Sequence, residues 1–115
     1  MAEEAEKPEV TYIEVYPVII TNYLRAKGKK PGFVQIQATI AVYGEAANKA
    51  VEKHQPLIRD TIISFLSFTE EAVIKDISKR QELRQNLMDK VNAQLEEVLG
   101  YPYAEDLIIT HFMWN

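Results

Sequence analysis

The residues able to do chemistry in this chain are few: two histidines, His54 and His111, and two adjacent carboxylate pairs, Glu70-Glu71 and Glu96-Glu97. A histidine beside a carboxylate suits proton transfer, and two facing carboxylates can divide acid and base roles. Neither arrangement is set up locally. No carboxylate stands at an acid-base or ligand spacing from either histidine, so a metal site would need further ligands that nothing in the sequence points to. Each histidine reads as a partly buried, hydrogen-bonded side chain of its element. Adjacent residues on a helix point about 100° apart, so neither glutamate pair shares a site. Glu70-Glu71 reads better as negative charge at a helix N-terminus. The chain has no cysteine, which excludes disulfides, thiolate zinc sites and thiol catalysis. Its four glycines, Gly28, Gly32, Gly44 and Gly100, are scattered at turns rather than gathered into a phosphate loop. No serine sits in a nucleophile elbow. The expectation is a protein that is not an enzyme and takes no cofactor, metal or small-molecule substrate.

Residues suited to binding are easier to find. Arg25, Lys27, Lys29 and Lys30 form a basic cluster, either a solvated hairpin tip or a contact for an acidic partner or anionic headgroups. Tyr12, Tyr16 and Tyr23 recur along one predicted strand, and tyrosine is enriched at interfaces. Arg59 and Asp60 interrupt an apolar helical stretch. They belong either to its solvent edge or to polar contacts between subunits or with a partner, where desolvated charge pairs confer specificity. The net charge of −4 argues against nucleic acid as a partner, because phosphate neutralisation needs a strongly basic face.

These residues must be positioned by a single domain. With 115 residues, 47% hydrophobic and 26% charged, the chain has a globular composition and enough length for a core. Residues 1–9 hold four glutamates and a proline without apolar periodicity and are expected to be a disordered acidic tail or linker; residues 10–115 form the domain. No apolar run approaches the ~18–20 residues of a membrane span. β-branched and aromatic residues predict a strand over 12–24, with Pro17 marking an edge position or bulge. Residues 25–32 form the hairpin loop. Val34, Ile36, Ala38, Ile40 and Val42 alternate with Gln35, Gln37, Thr39 and Ala41, which predicts a strand with the first set inside. Apolar spacings of three and four predict a helix over 45–66, bent at Pro56 or restarted there. Ser67–Glu70 and Ser78–Gln81 match the capping box, predicting helices near 68–77 and 79–99. Leu83, Leu87, Val91, Leu95 and Val98 form the apolar stripe of the latter, and Gly100 its left-handed end. The nearly unbroken apolar run over 107–114 predicts a strand buried on both faces, central in its sheet. The fold class is α+β: a small, mostly antiparallel sheet in β-β-α-α-β order with helices packed on one face.

The stretch Pro56-Leu57-Ile58-Arg59-Asp60-Thr61-Ile62-Ile63-Ser64-Phe65-Leu66-Ser67, followed by Thr69-Glu70-Glu71, resembles the FliL family of flagellar basal-body-associated proteins. The family carries a proline, an Ile-Arg-Asp triplet, paired aliphatics, Leu-Ser and an acidic start to the next helix. Leu83-Arg84, Leu87, Val91-Asn92 and Leu95 resemble its last helix, residues 108–112 its closing strand, and residues 35–42 its earlier strand. The ending Met113-Trp114-Asn115 departs from the family pattern, as does the lack of the usual N-terminal transmembrane helix. The resemblance implies an inner-membrane protein with its main domain in the periplasm, in contact with stator and basal-body proteins and serving torque, swarming, motility and chemotaxis. It also implies a stomatin-type (SPFH) domain able to assemble into rings. The alternative from a different class is a small-ligand-binding α+β domain with a pocket between sheet and helix.

Overall fold

The computed structural model describes residues 9–115, so the expected acidic tail lies, apart from Glu9, outside the described residues. The element order is β1 (Val10–Glu14), β2 (Ile19–Tyr23), β3 (Gly32–Tyr43), α1 (Glu45–Lys53), α2 (Gln55–Ser67), α3 (Glu71–Ile74), a 3-10 turn (Ile77–Lys79), α4 (Arg80–Leu99) and β4 (Asp106–Trp114). The sheet is antiparallel and helices pack against it, which is the α+β architecture expected.

β3 is the strand on which the sheet is built, because β1, β2 and β4 all pair with it. Its strict alternation has the predicted consequence: Val34, Ile36, Ala38, Ile40 and Val42 are fully buried, while Gln35 and Gln37 stay partly accessible. Ala41, expected outside, is also buried, because its short side chain sits between the cross-strand neighbours Tyr12 and Asp106. The predicted strand over 12–24 is broken in two. β1 pairs with residues 39–43 and β2 with residues 32–36, so residues 15–18 stand opposite only Gln37 and Ala38. That segment is a bulge, and Pro17, which has no N–H to give to a ladder, lies within it.

The predicted helix over 45–66 restarts rather than bends. His54 ends α1, and Pro56 sits in the first turn of α2, where its missing N–H costs nothing. Neither capping box forms. Ser67 still belongs to α2 and its hydroxyl donates to the Ser64 carbonyl, three residues back. At the other site Asp76 accepts from the Ser78 N–H and hydroxyl, capping the 3-10 turn instead. α4 buries Leu83, Leu87, Val91 and Leu95, but Val98 is 52% exposed, so the stripe stops one turn early. Gly100 ends the helix at φ 85°, the left-handed conformation glycine adopts without a Cβ penalty.

β4 corrects the remaining expectation. It pairs only with β3 and is an edge strand, not a central one; Leu107 alone is fully buried along it. Ile58, Ile62 and Leu66 of α2 and the α4 stripe close over the buried side chains of the sheet. Each such aliphatic contributes ~1.5–3 kcal/mol by leaving water.

Candidate interaction surface

The bulge at residues 15–18 is held from α2. Gln55 donates through Nε2 to the Glu14 carbonyl at 2.9 Å and accepts the Tyr16 N–H on Oε1 at 3.0 Å. One turn on, Arg59 reaches the Pro17 carbonyl through Nε at 3.3 Å and the Val18 carbonyl through Nη2 at 3.4 Å. Backbone groups that the bulge removes from the ladder are satisfied by these two side chains. Tyr16 stands at the centre of the clamped segment with 72% of its surface exposed. Arg59 and Asp60 therefore act separately: Arg59 faces the bulge, while Asp60 is exposed on the rim of a groove of about 650 Å³ between α2 and α4, shared with Phe65, Phe68 and Lys90.

The three tyrosines also divide. Tyr12 lies on the open face of the sheet, 63% exposed, beside exposed Tyr43. Tyr23 is a correction to the expected row of surface tyrosines. It is only 3% exposed, its ring covers Gly32, and its hydroxyl donates to the Asn115 carbonyl. The basic cluster is split in the same way. Arg25 and Lys29 turn toward Glu71, at 3.4 and 3.8 Å, where Lys75 also binds at 2.7 Å. The hydrogen bond from Lys75, aided by the attraction of Arg25 and Lys29, holds the Glu71 carboxyl below its usual range despite some desolvation. Arg25 also donates to the Lys30 carbonyl, fixing the loop. Lys27 and Lys30 remain on the exposed surface.

A second constellation, not singled out from the sequence, follows β4. Arg84 bonds Asp106 at 2.8 Å and the Leu107 carbonyl at 3.1 Å. Asn92 clips the backbone of Ala104 twice, as donor and acceptor, each at 2.9 Å. The Arg80 guanidinium lies 3.6 Å from the Phe112 ring centroid, and the Lys75 ammonium 5.0 Å from that of Trp114. Arg80 donates to the Ile74 carbonyl at 3.1 Å, yet its Nε is enclosed without an acceptor. Burial disfavours its positive form and lowers its pKa, with the attraction of Asp76 opposing. A groove of about 480 Å³ runs here, lined by Ile77, Arg80, Gln81, Arg84 and residues 106–109. The only sequence signal for this site is arginine at spacing four on the first turns of a helix, which an ordinary solvated face also shows.

The residues considered for chemistry stay apart. His54 is half-buried at the α1–α2 junction, with Nδ1 against the Ala50 carbonyl at 2.8 Å. His111, expected to be partly buried, is exposed on the edge strand opposite Gln37. Among the described residues no group of three histidines, aspartates or glutamates is placed to hold a metal ion. The surface offers clamped backbone, exposed aromatics and ordered cations, a set suited to binding another protein.

A comparison with curated proteins finds no match. The family model described as flagellar basal body-associated protein FliL matches residues 12–114, a span that runs from β1 through β4 and takes in the bulge, both helix junctions and the cationic edge. The chain belongs to the FliL family of flagellar basal-body-associated proteins.

Proposed function

We propose that this domain is a non-enzymatic accessory of the flagellar motor that contacts stator units from the periplasmic side of the inner membrane and supports torque, motility and chemotaxis. The match over residues 12–114 is the observation that carries the reading. A surface of exposed aromatics and ordered charge around a wholly apolar core agrees with it. Tyr12, Tyr16, Lys27, Lys30 and Asp60 supply the exposed contacts, while Arg59, Arg25, Lys29 and Tyr23 fix the segments that display them. Rings of a stomatin-type arrangement form when the domain is held at the membrane. No helix among the described residues is long and apolar enough to cross a bilayer. Confinement beside the motor raises effective concentration to about millimolar for a short flexible tether, so a weak interface becomes occupied.

Complementation of a deletion strain tests this reading. A membrane-anchored copy of the domain should restore motility, and an exported, untethered copy at equal abundance should not. Equal rescue by the untethered copy would replace tethered motor association with a diffusible binding role.

A further inference from the structure

The two long borders of the sheet are finished differently: the β1–β2 border is clamped at residues 14–18 and at Leu24, while the end of β4 has no such clamp. Asn115 donates its N–H to the Phe33 carbonyl, continuing the β4 register by one residue. In an antiparallel ladder every second residue points its backbone groups at the partner strand. Met113 and His111 therefore face β3, and Phe112 and Trp114 present N–H and C=O outward. Leu107 also points its carbonyl outward, and there Arg84 occupies it. No comparable bond reaches Phe112 or Trp114 among the described residues. The strand is nine residues long and contains no proline and no inward charge; its one bulge is at Thr110, and residues 111–114 beyond it run regularly against β3.

Beside this edge the charge is positive, though the chain as a whole carries −4. Lys75 and Arg80 lie over the rings of Trp114 and Phe112, the two residues with outward backbone groups. Lys75 is neutralised by Glu71 and Arg84 by Asp106, but no carboxylate among the described residues lies within ion-pair distance of Arg80. Its planar guanidinium is held by stacking and by the Ile74 carbonyl, so an incoming carboxylate would meet a group already in position.

We propose that the outer edge of β4 receives an extended acidic segment of a partner protein as an added strand, with an acidic side chain of that segment paired to Arg80. Strand addition supplies main-chain hydrogen bonds, and alternate side chains supply selectivity. The acidic requirement follows from the cations beside the edge, among which Arg80 has no carboxylate at ion-pair distance. A second copy of this chain is the poorer occupant: antiparallel pairing of two β4 strands keeps their helices on one side and brings Lys75 and Arg80 of each copy toward those of the other. The proposal deepens the interaction-domain reading by naming its surface and the chemistry of its partner.

The test uses the purified chain and two synthetic hexapeptides, one alternating glutamate with valine and the other lysine with valine, followed through backbone amide NMR signals. The acidic peptide should shift the Ile109, Phe112 and Trp114 amides saturably and slow their hydrogen exchange, while the basic peptide leaves them unmoved. Arg80→Gln should weaken binding about tenfold, with the dispersion of its spectrum reporting whether it is folded. Should that variant lose its fold, the two peptides on the unmodified chain decide the matter. Equal binding of both peptides, shifts confined to other strands, or no shift at all would overturn the proposal. So would concentration-dependent shifts of the same amides without peptide, which would assign the edge to a second copy. Because no cell is involved, failure here leaves the motility result standing, and failure of complementation leaves the peptide result standing.

Discussion

The two borders of the sheet solve one problem in different ways. The β1–β2 border gives up its regular ladder at residues 15–18 and satisfies the freed groups with Gln55 and Arg59. Leu24, just past β2, is then tied to the α2–α3 junction by its N–H to the Thr69 carbonyl and by the Glu71 N–H to its own carbonyl. The β4 border also breaks step once, at Thr110 opposite Gln37 and Ala38, but no side chain clamps the outward backbone of Phe112 and Trp114, and three cations stand beside it instead. A bulge closes an edge permanently, since its backbone is already committed. Cations close it only against the wrong partner, because a carboxylate can turn the same groups from guard to receptor.

The change with the largest expected effect acts where the two borders meet. The Tyr23 ring extends from β2 across Gly32 of β3, and its hydroxyl reaches Asn115 beyond β4. A Cβ on Gly32 would lie 2.2 Å from the Tyr23 Cζ, so Gly32→Ala must displace the ring. We expect a loss of about 1–3 kcal/mol in urea unfolding, the usual cost of overpacking, with hydrogen exchange quickening in β2 and at Asn115 together. Faster exchange in β2 alone would show that the borders are independent.

Gln55→Ala separates them more gently. It removes two hydrogen bonds from the bulge, and a loss of about 1–2 kcal/mol is expected. Exchange should accelerate at Tyr16 while β4 amides keep their protection. If β4 responds equally, the clamp belongs to the whole sheet rather than to one border.

The smallest effect concerns acid. The folded pKa of Glu71 is depressed from its ordinary value of 4.5, so the stability it contributes is present above that value and is lost as pH falls through the lower folded value. Asp76, depressed from 3.8 by bonds from Ser78, follows the same sign. Glu71→Gln should flatten part of the decline below pH 4.5 in stability-against-pH curves and leave neutral stability nearly unchanged. An unaltered acid limb would mean that the Lys75–Glu71 pair contributes nothing in solution, as many exposed pairs do.

Where the sequence spoke with a strict period it was legible. The alternation from Val34 to Val42 gave the inner face of β3, and the four-residue spacing of Leu83, Leu87, Val91 and Leu95 gave the buried line of α4. β4 was misread because a continuous apolar run is ambiguous. Half-buried Phe112 and exposed Trp114 lie against the cationic ends of Arg80 and Lys75, with no second neighbouring strand, and an arginine or lysine far along the chain leaves no trace in the strand's own pattern. Gln55 and Arg59 were similarly hidden as clamps. They bind main-chain carbonyls, which every residue possesses, so no partner residue type could announce the contact.

Because β3 pairs with every other strand, the timing of synthesis matters to the nascent domain. Its partners β1 and β2 leave the ribosome before it, but the pairing of Val34 with Trp114 waits for almost the full length of the domain. Until β4 arrives, one border of β3 is unpaired and Leu107 is missing from the core. Long-range pairing of this kind is slow and leaves apolar surface open meanwhile. A chain held unfolded during export would meet its partners all at once, whereas one emerging residue by residue must wait with its central strand half dressed.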